Sequence, residues 1–274
     1  MQLDALTIRR PVHGKAYRLR RHLRNAGLLL QLAQSPLDRI RIFKFLARDL
    51  AYRATGRPEE SLLRIAGITY CLGHGGGEVF PLIEMGSNHA YDQVEDFTPG
   101  RGWTVVDAGA NVGTYSLQQA VRGAAVHAFE PNPVCCERLR RAANANGVKV
   151  AITRAALGAR EGTAVLQFGT ARSTEAKVAE SGQGVEVRLI PLDGVVIGHV
   201  DLMKIDVEFA EVEVLKGATE TLKETSRVVL EFHSHELLAQ SDELLRAAGL
   251  TRRLLSEPWG GSSRYGYGVA YYSR

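Results

Sequence analysis

Apolar positions change their spacing three times along the chain, and each change predicts a different layer of structure. Between 15 and 34, Leu19, Leu23, Ala26, Leu30 and Ala33 recur at helical spacing. Ser35-Pro36-Leu37-Asp38 then reads as a helix start: Ser caps, Pro suits the first helical position, and Asp faces the exposed N–H groups. In this second helix Leu37, Ile40, Phe43, Ala47, Leu50 and Ala54 form the stripe expected to face the core, with Arg-rich outer faces on both helices. Residues 62–66, 68–72 and 79–83 are short β-like runs separated by Gly67 and Gly73-His74-Gly75-Gly76-Gly77, which predicts a small β-meander before a short helix near 88–97. From Trp103 onward strands and helices alternate. Strands are expected near 103–107, 125–129, 149–153, 200–205 and 226–232, and helices near 112–122, 133–146, 210–223 and 235–248. Alternation of this kind predicts an α/β fold with a parallel sheet and crossover helices. Two features interrupt it: an antiparallel pair near 163–168 and 184–191, and a C-terminal hairpin from 251–255 and 268–272 around a Gly/Ser-rich loop.

The first of these alternating units carries the most chemistry. Val105-Val106-Asp107-Ala108-Gly109-Ala110-Asn111-Val112-Gly113 reads as a strand running through a glycine turn into a helix, and Ala128-Phe129-Glu130-Pro131 ends the next strand in an acid. Gly109 and Gly113 remove side chains, so that backbone N–H groups and a helix N-terminus can approach a ligand. Glu130 lies where a carboxylate can accept hydrogen bonds from both hydroxyls of a ribose. The spacing is G-x-x-x-G with Asp107 ahead of it, not the G-x-G-x-x-G of nicotinamide sites. An acid in place of a pyrophosphate cradle suits S-adenosylmethionine, whose amino-acid end is cationic.

Four blocks give the chain its resemblance: Asp107-Ala-Gly-Ala-Asn-Val-Gly113, Phe129-Glu-Pro-Asn-Pro133, Ala155-Ala-Leu-Gly158, and Lys204-Ile-Asp-Val-Glu-Phe-Ala-Glu211 running on to Val214-Leu-Lys-Gly-Ala218. With Val229-Leu-Glu-Phe-His233 they span roughly 100–235 in order, and the chain resembles the FkbM family of S-adenosylmethionine-dependent methyltransferases. The resemblance implies a Rossmann-like class I methyltransferase sheet, mostly parallel with a C-terminal antiparallel hairpin. The expected organisation is a basic helical arm over 1–57, a small β-meander and helix cap over 58–100, and the S-adenosylmethionine-binding domain over 101–274. Cofactor contacts are implied for Asp107, Gly109, Ala110, Asn111, Gly113, Glu130, Asn132, Ala156, Leu157 and Asp206, with Ala155, Ala156 and Leu157 meeting the adenine. Asn132 and Pro133 shape the turn after Glu130. The family pattern has Gly where this chain has Phe209, which puts a bulkier side chain beside the presumed active site.

Asp206 and Glu208 are two apart, so in an extended segment they point to one side; Glu231, His233 and His235 repeat that spacing on the strand the family makes its neighbour. Convergence of these groups should separate their pKa values and so separate acid from base roles. An alcohol accepting a methyl group must lose its proton, and His233 is the expected general base, with Asp206 or Glu231 orienting it and Glu208 binding acceptor hydroxyls. Lys204 is expected to pair with an acid. His89, Tyr91 and Glu95 are candidate contacts to the methionine end of the cofactor. A divalent metal on Asp206, Glu208 and His233 is chemically sensible but not expected. The His-Gly-Gly-Gly string invites comparison with an esterase oxyanion loop, but the chain has no G-x-S-x-G nucleophile elbow.

Composition narrows the classes further. With 45% hydrophobic and 23% charged residues and no apolar run of membrane-spanning length, a soluble enzyme is expected. The basic start and Leu28-Leu29-Leu30 lack a signal-peptide cleavage site. Cys71, Cys135 and Cys136 show no C-x-x-C spacing, a reduced pattern pointing to the cytoplasm. Charge is uneven: residues 1–57 hold thirteen Lys or Arg against three Asp or Glu, and the other 217 residues carry a net −6. The plain reading of this arm is a helical cap, packed on the catalytic domain or joining a homodimer. Its sharper readings are an anionic substrate, a membrane surface or RNA. No aromatic interleaving or zinc-knuckle spacing favours nucleic acid. The expected function is an O-methyltransferase acting on a hydroxyl of a small molecule, sugar or glycoside. The alternatives are a methyltransferase for RNA or a lipid-linked glycan recruited by the arm, and a non-catalytic cofactor-binding protein.

Overall fold

The computed structural model describes residues 24–56, 59–75, 78–79, 81–83, 91–169, 172–179, 182–195, 198–256 and 267–274. A seven-stranded sheet organises the chain from β3 (Thr104–Ala108) onward. It contains β4 (Ala125–Phe129), β5 (Val150–Thr153), β10 (Leu202–Ile205), β11 (Arg227–Phe232), β12 (Thr251–Ser256) and β13 (Gly268–Ser273), in the order β12-β13-β11-β10-β3-β4-β5. The five strands from β5 to β11 are parallel, and β13 inserts antiparallel between β11 and β12. This is the general arrangement of a class I methyltransferase; the all-parallel Rossmann order lacks the inserted strand. Strand order reverses between β3 and β10, which opens a crevice at their carboxyl ends.

Both sheet faces are covered, which explains the near-continuous apolar runs of the strands. Val106, Ala108, Met203, Ile205, Val228 and Leu230 pack against α5 (Glu211–Lys216), α6 (Thr219–Lys223) and α7 (His235–Ala247). On the opposite face Val105, Val126, Leu202 and Val229 meet Tyr91, Phe97, Tyr115 and Tyr271. The helix expected over 210–223 is two helices, because Gly217 approaches the Gly158 backbone so closely that a Cβ there would lie 2.0 Å from the Gly158 oxygen. The expected antiparallel pair is larger than its pattern suggested. β6 (Ala156–Leu157), β7 (Gly162–Gly169), β8 (Arg172–Ala179) and β9 (Val185–Ile190) form a separate sheet in the order β6-β9-β7-β8.

The N-terminal region departs most from the expectations. A helix α1 covers 24–31, and Leu19 and Leu23 lie outside the described residues; Leu29, not Leu30, is the fully buried anchor. α2 (Pro36–Thr55) starts as expected, with the Ser35 hydroxyl accepting from the Asp38 N–H at 3.1 Å and Gly56 closing it at φ 67°. Its orientation is the reverse of the expected one. Ile42 and Phe45 face inward, whereas Leu37, Ile40, Phe43 and Leu50 are exposed. The helix carries apolar residues on two sides, and periodicity cannot say which one the hairpin below will cover. That hairpin, β1 (Glu60–Ile65) with β2 (Ile68–Gly73), is what the described residues hold of the meander: Val79 and residues 81–83 are helical, and of the helix expected over 88–97, residues 88–90 lie outside the described residues and the rest holds a 3-10 turn at Glu95–Phe97. Leu29, Ile42, Phe45, Leu63 and Leu72 share one core with Val112, Leu117 and Leu139 of the sheet's own crossover region. Arg138 of α4 (Pro133–Asn146) adds ion pairs to Glu60 and to the buried Glu78.

Candidate active site

The glycine turn after β3 leads into α3 (Thr114–Val121), and its backbone donors are used within the protein. Gly109 and Ala110 both donate to the Phe129 carbonyl at 3.0 Å, Asn111 donates to Glu130 Oε2 at 2.8 Å, and Val112 to the Asn111 side chain. These four N–H groups therefore do not form the open cradle that the glycines suggested. The glycines serve close packing instead: a Cβ on Gly109 would lie 1.8 Å from the Asp206 carbonyl oxygen, and one on Gly113 2.0 Å from Leu139. A ligand without phosphates needs no anion nest, so the turn can close on itself.

Asp107 is wholly buried beneath this turn, where it accepts from Ser116 Oγ at 2.6 Å and from Lys204 Nζ at 3.1 Å. Lys204 Nζ also reaches the Gly109 carbonyl at 3.1 Å and lies 3.4 Å from Asp206. Burial alone would lower the Lys204 pKa, but Asp107 and Asp206 hold it above the ordinary lysine value. The ammonium thus ties the ends of β3 and β10 together. Asn132 is buried as well; its side chain caps α4 through the Val134 N–H, and its own N–H donates to Glu130 Oε1 at 2.8 Å. Glu130 is held by a backbone donor on each oxygen, yet burial pushes its pKa up to about 7.

Two openings flank the turn. The larger, with about 690 Å³ of space, runs from Glu130 across Ala155, Ala156 and Leu157 to Asp206 and Glu208. The smaller, about 380 Å³, is bounded by Tyr91, Ala110, Thr114, Tyr115, Lys204 and Asp206. Gly109, Asn111 and Asp206 line both. Thr114 Oγ1 is buried without a partner and the N-terminus of α3 has no side-chain cap, so unused donors collect at the smaller opening; the Tyr115 hydroxyl is also buried without a partner. Tyr91 lines the smaller opening, His89 is outside the described residues, and Glu95 is exposed and lines neither opening.

Acidic and basic groups crowd the edge formed by β10 and β11. The segment after Ile205 is not extended: Glu208 and Phe209 both have positive φ, at 50° and 78°. This bend turns the chain into α5 and brings Glu211, wholly buried, to His233, with 2.5 Å between Oε1 and Nδ1. Glu211 Oε1 also accepts from the Phe209 N–H at 3.1 Å, while Oε2 has no partner. His233 Nε2 then faces Glu208 at 3.6 Å and Glu231 at 3.9 Å. Burial would lower the His233 pKa, but the Glu211 bond and the Asp206 charge raise it to about 9. The imidazole therefore carries a proton at neutral pH. Tyr91 and Tyr267 each donate to Glu231, and Tyr91 reaches Asp206 at 3.2 Å. Burial and the Asp206 charge push Glu231 above the usual carboxylate range. His235 does not join the cluster: it is exposed at the start of α7, where Ser234 caps the helix. Glu211 takes its place. Its signal in the sequence was a third acid in the run from Asp206, out of step with the two-residue spacing on which the expectation rested.

Oxygens of Asp206 and Glu231 and a ring nitrogen of His233 lie within 4.8 Å of one another, a donor set a divalent cation can bridge. Lys204 already neutralises part of this charge. Phe209 stands half-exposed over the cluster with its ring centroid 5.0 Å from that of His233.

Residues 107–251 match the methyltransferase FkbM domain family. Among curated proteins, a hexuronic acid methyltransferase, AglP, of Haloferax volcanii is 28% identical over 132 residues, covering 47% of this chain and 55% of that protein. The methyltransferase sdnD of Sordaria araneosa is 30% identical over 189 residues, covering 54% of this chain and 71% of that protein. Among solved structures, a methyltransferase FkbM from Methylobacillus flagellatus KT is 13% identical with a TM-score of 0.45, covering 94% of this chain and 60% of that one. This chain thus spans about half the length of the Haloferax protein.

Proposed function

Since the chain belongs to the FkbM methyltransferase family, we propose that it transfers the methyl group of S-adenosylmethionine to a hydroxyl of a small molecule, sugar or glycoside. The observation that carries this reading is the pair of openings meeting at Gly109, Asn111 and Asp206. In this reading the larger one takes the adenosine, with Glu130 at the ribose and Ala155 to Leu157 against the base. The unpartnered Thr114 hydroxyl and the uncapped α3 N-terminus suit the methionine carboxylate. Asp206 and the acids beside it suit a cationic ligand. When bound, S-adenosylmethionine supplies a methyl group activated on a positively charged sulfur. The Haloferax relative is named for a sugar acid, which favours a sugar as acceptor here.

His233 is read as the group that takes the acceptor proton, once it has lost its own. Glu211 fixes the ring through Nδ1 and leaves Nε2 facing Glu208, itself on the wall of the larger opening, so one nitrogen orients while the other reacts. Glu208, on the wall of the larger opening, is read as accepting hydrogen bonds from acceptor hydroxyls. Asp206 and Glu231 set the field around the ring. Phe209 narrows the entrance. The direct test is calorimetric titration with S-adenosylmethionine, followed by transfer of labelled methyl groups to a panel of glycosides. Cofactor binding and label on an acceptor oxygen are expected, and absence of cofactor binding would overturn the reading.

A further inference from the structure

We propose that the outer face of α2 docks this protein onto an anionic lipid surface. Leu37, Ile40, Phe43 and Leu50 are 52%, 50%, 60% and 69% exposed, a stripe of large apolar side chains along one helix. At 3.6 residues per turn they share one side, roughly opposite Ile42 and Phe45, which anchor the helix to the body of the protein. The stripe is about 20 Å long, since its ends are thirteen residues apart at about 1.5 Å each. Exposed Arg39 borders it on one side and exposed Lys44 on the other, where Arg48 turns its guanidinium to Ser61 of β1. Apolar residues at the centre and basic residues on both flanks are the design of a helix lying in the plane of a membrane interface. No helix among the described residues is long and apolar enough to cross a membrane, so the contact is with the surface.

Charge complementarity selects the occupant. In a symmetric pairing of two copies through this face, Arg39 and Lys44 of one copy would meet their counterparts, a repulsive arrangement. Four side chains on one helix also offer only a few hundred Å², short of the roughly 800 Å² per partner of a stable dimer. Anionic headgroups, in contrast, complement both basic borders while the acyl boundary takes Phe43 and Leu50. The excess of ten positive charges in residues 1–57 acts in the same direction.

Flotation of the full chain with vesicles tests the proposal, using phosphatidylcholine alone and phosphatidylcholine with 30% phosphatidylglycerol. Binding to the anionic vesicles at low salt is expected, at least tenfold tighter than to neutral ones and weakened at 0.5 M salt. The double variant Phe43→Ser, Leu50→Ser should lose at least tenfold of that binding. Arg39→Gln with Lys44→Gln should lose the preference for anionic vesicles. Neither pair touches the site at β10 and β11, so unchanged cofactor binding and unfolding temperature serve as controls of folding. The proposal is overturned if the parent chain ignores anionic vesicles or if the Phe43, Leu50 variant binds them undiminished. It is equally overturned if light scattering finds a dimer that this variant dissociates while vesicles are not bound.

Discussion

The turn that follows β3 and the edge formed by β10 and β11 are neighbours across the switch point, yet they are built on opposite principles. Within the turn the carboxylates have internal partners, Asp107 holding Ser116 and Lys204 and Glu130 two backbone N–H groups, and the unpartnered hydroxyls of Thr114 and Tyr115 come only where the helix begins. At the other edge like charges converge, Glu208 and Phe209 take left-handed backbone, and Glu211 keeps an unpartnered buried oxygen. A scaffold that must present one constant ligand can satisfy itself in advance. On the proposed reading the charged edge moves a proton, which requires competing charges close in balance on a rigid support.

The largest expected effects follow from the charged edge. Replacing His233→Ala should lower kcat by about 10² to 10⁴, the range of a lost general base, with cofactor affinity within a few fold of the parent. Glu211→Gln separates positioning from reaction. With His233 held at about 9, kcat/KM should rise with pH through neutrality and level off near that value. Removing the Glu211 charge should move the break down by at least one pH unit, a shift a purely structural role would not produce. An unmoved pH profile would assign proton transfer to another group.

The self-satisfied region responds differently. Glu130→Ala removes a carboxylate that holds both the turn and the start of α4, so S-adenosylmethionine should bind at least 100-fold more weakly by calorimetry, about 2.7 kcal/mol. If Glu130→Ala binds as tightly as the parent, the ribose assignment is wrong.

The two regions also share a pH signature. Glu130 and Glu231 are raised by burial, and His233 is raised despite it, so the folded protein binds more protons than the unfolded chain. For each group the stabilising contribution is complete below its unfolded value and lost as pH rises through its folded one. The unfolding temperature of the ligand-free protein should therefore fall from about pH 4.5 to 7 through the carboxyls, and from about 6.5 to 9 through the imidazole. Glu130→Gln should flatten only the lower window, a difference that scanning calorimetry resolves.

The contrast between the regions matches what the sequence could disclose. β4 and α4 occupy the residues expected for them, because a turn, a cap and a buried strand are local patterns, each marked by Gly, Asn or an apolar run. The charged edge was legible as a list of acids and histidines, but not as an arrangement. The alternation rule assumed an extended chain after Ile205, whereas two consecutive left-handed residues turn it, exchange His235 for Glu211 and leave Nε2 facing Glu208. The outward face of α2 failed for a related reason. Two apolar stripes share one helix, and the choice between them is made by β1 and β2, distant from the pattern itself.

The smallest effect concerns the bend itself. Phe209 has φ 78°, a conformation that costs a residue with a Cβ roughly 1–2 kcal/mol and costs glycine nothing. Phe209→Gly should therefore stabilise the fold by about 1 kcal/mol, or about 2 °C for a chain of this size, since its half-exposed ring contributes little packing. The ring stands beside His233, and on the proposed reading it narrows the entrance. The same variant should lower KM for bulkier glycosides and raise it for the smallest acceptors, with the pH break near 9 unmoved because Glu211 still holds the imidazole. Stabilisation without any change in acceptor preference would reduce Phe209 to a tolerated strain. A loss of stability would mean that the ring, and not the Glu211 bond, holds the bend in place.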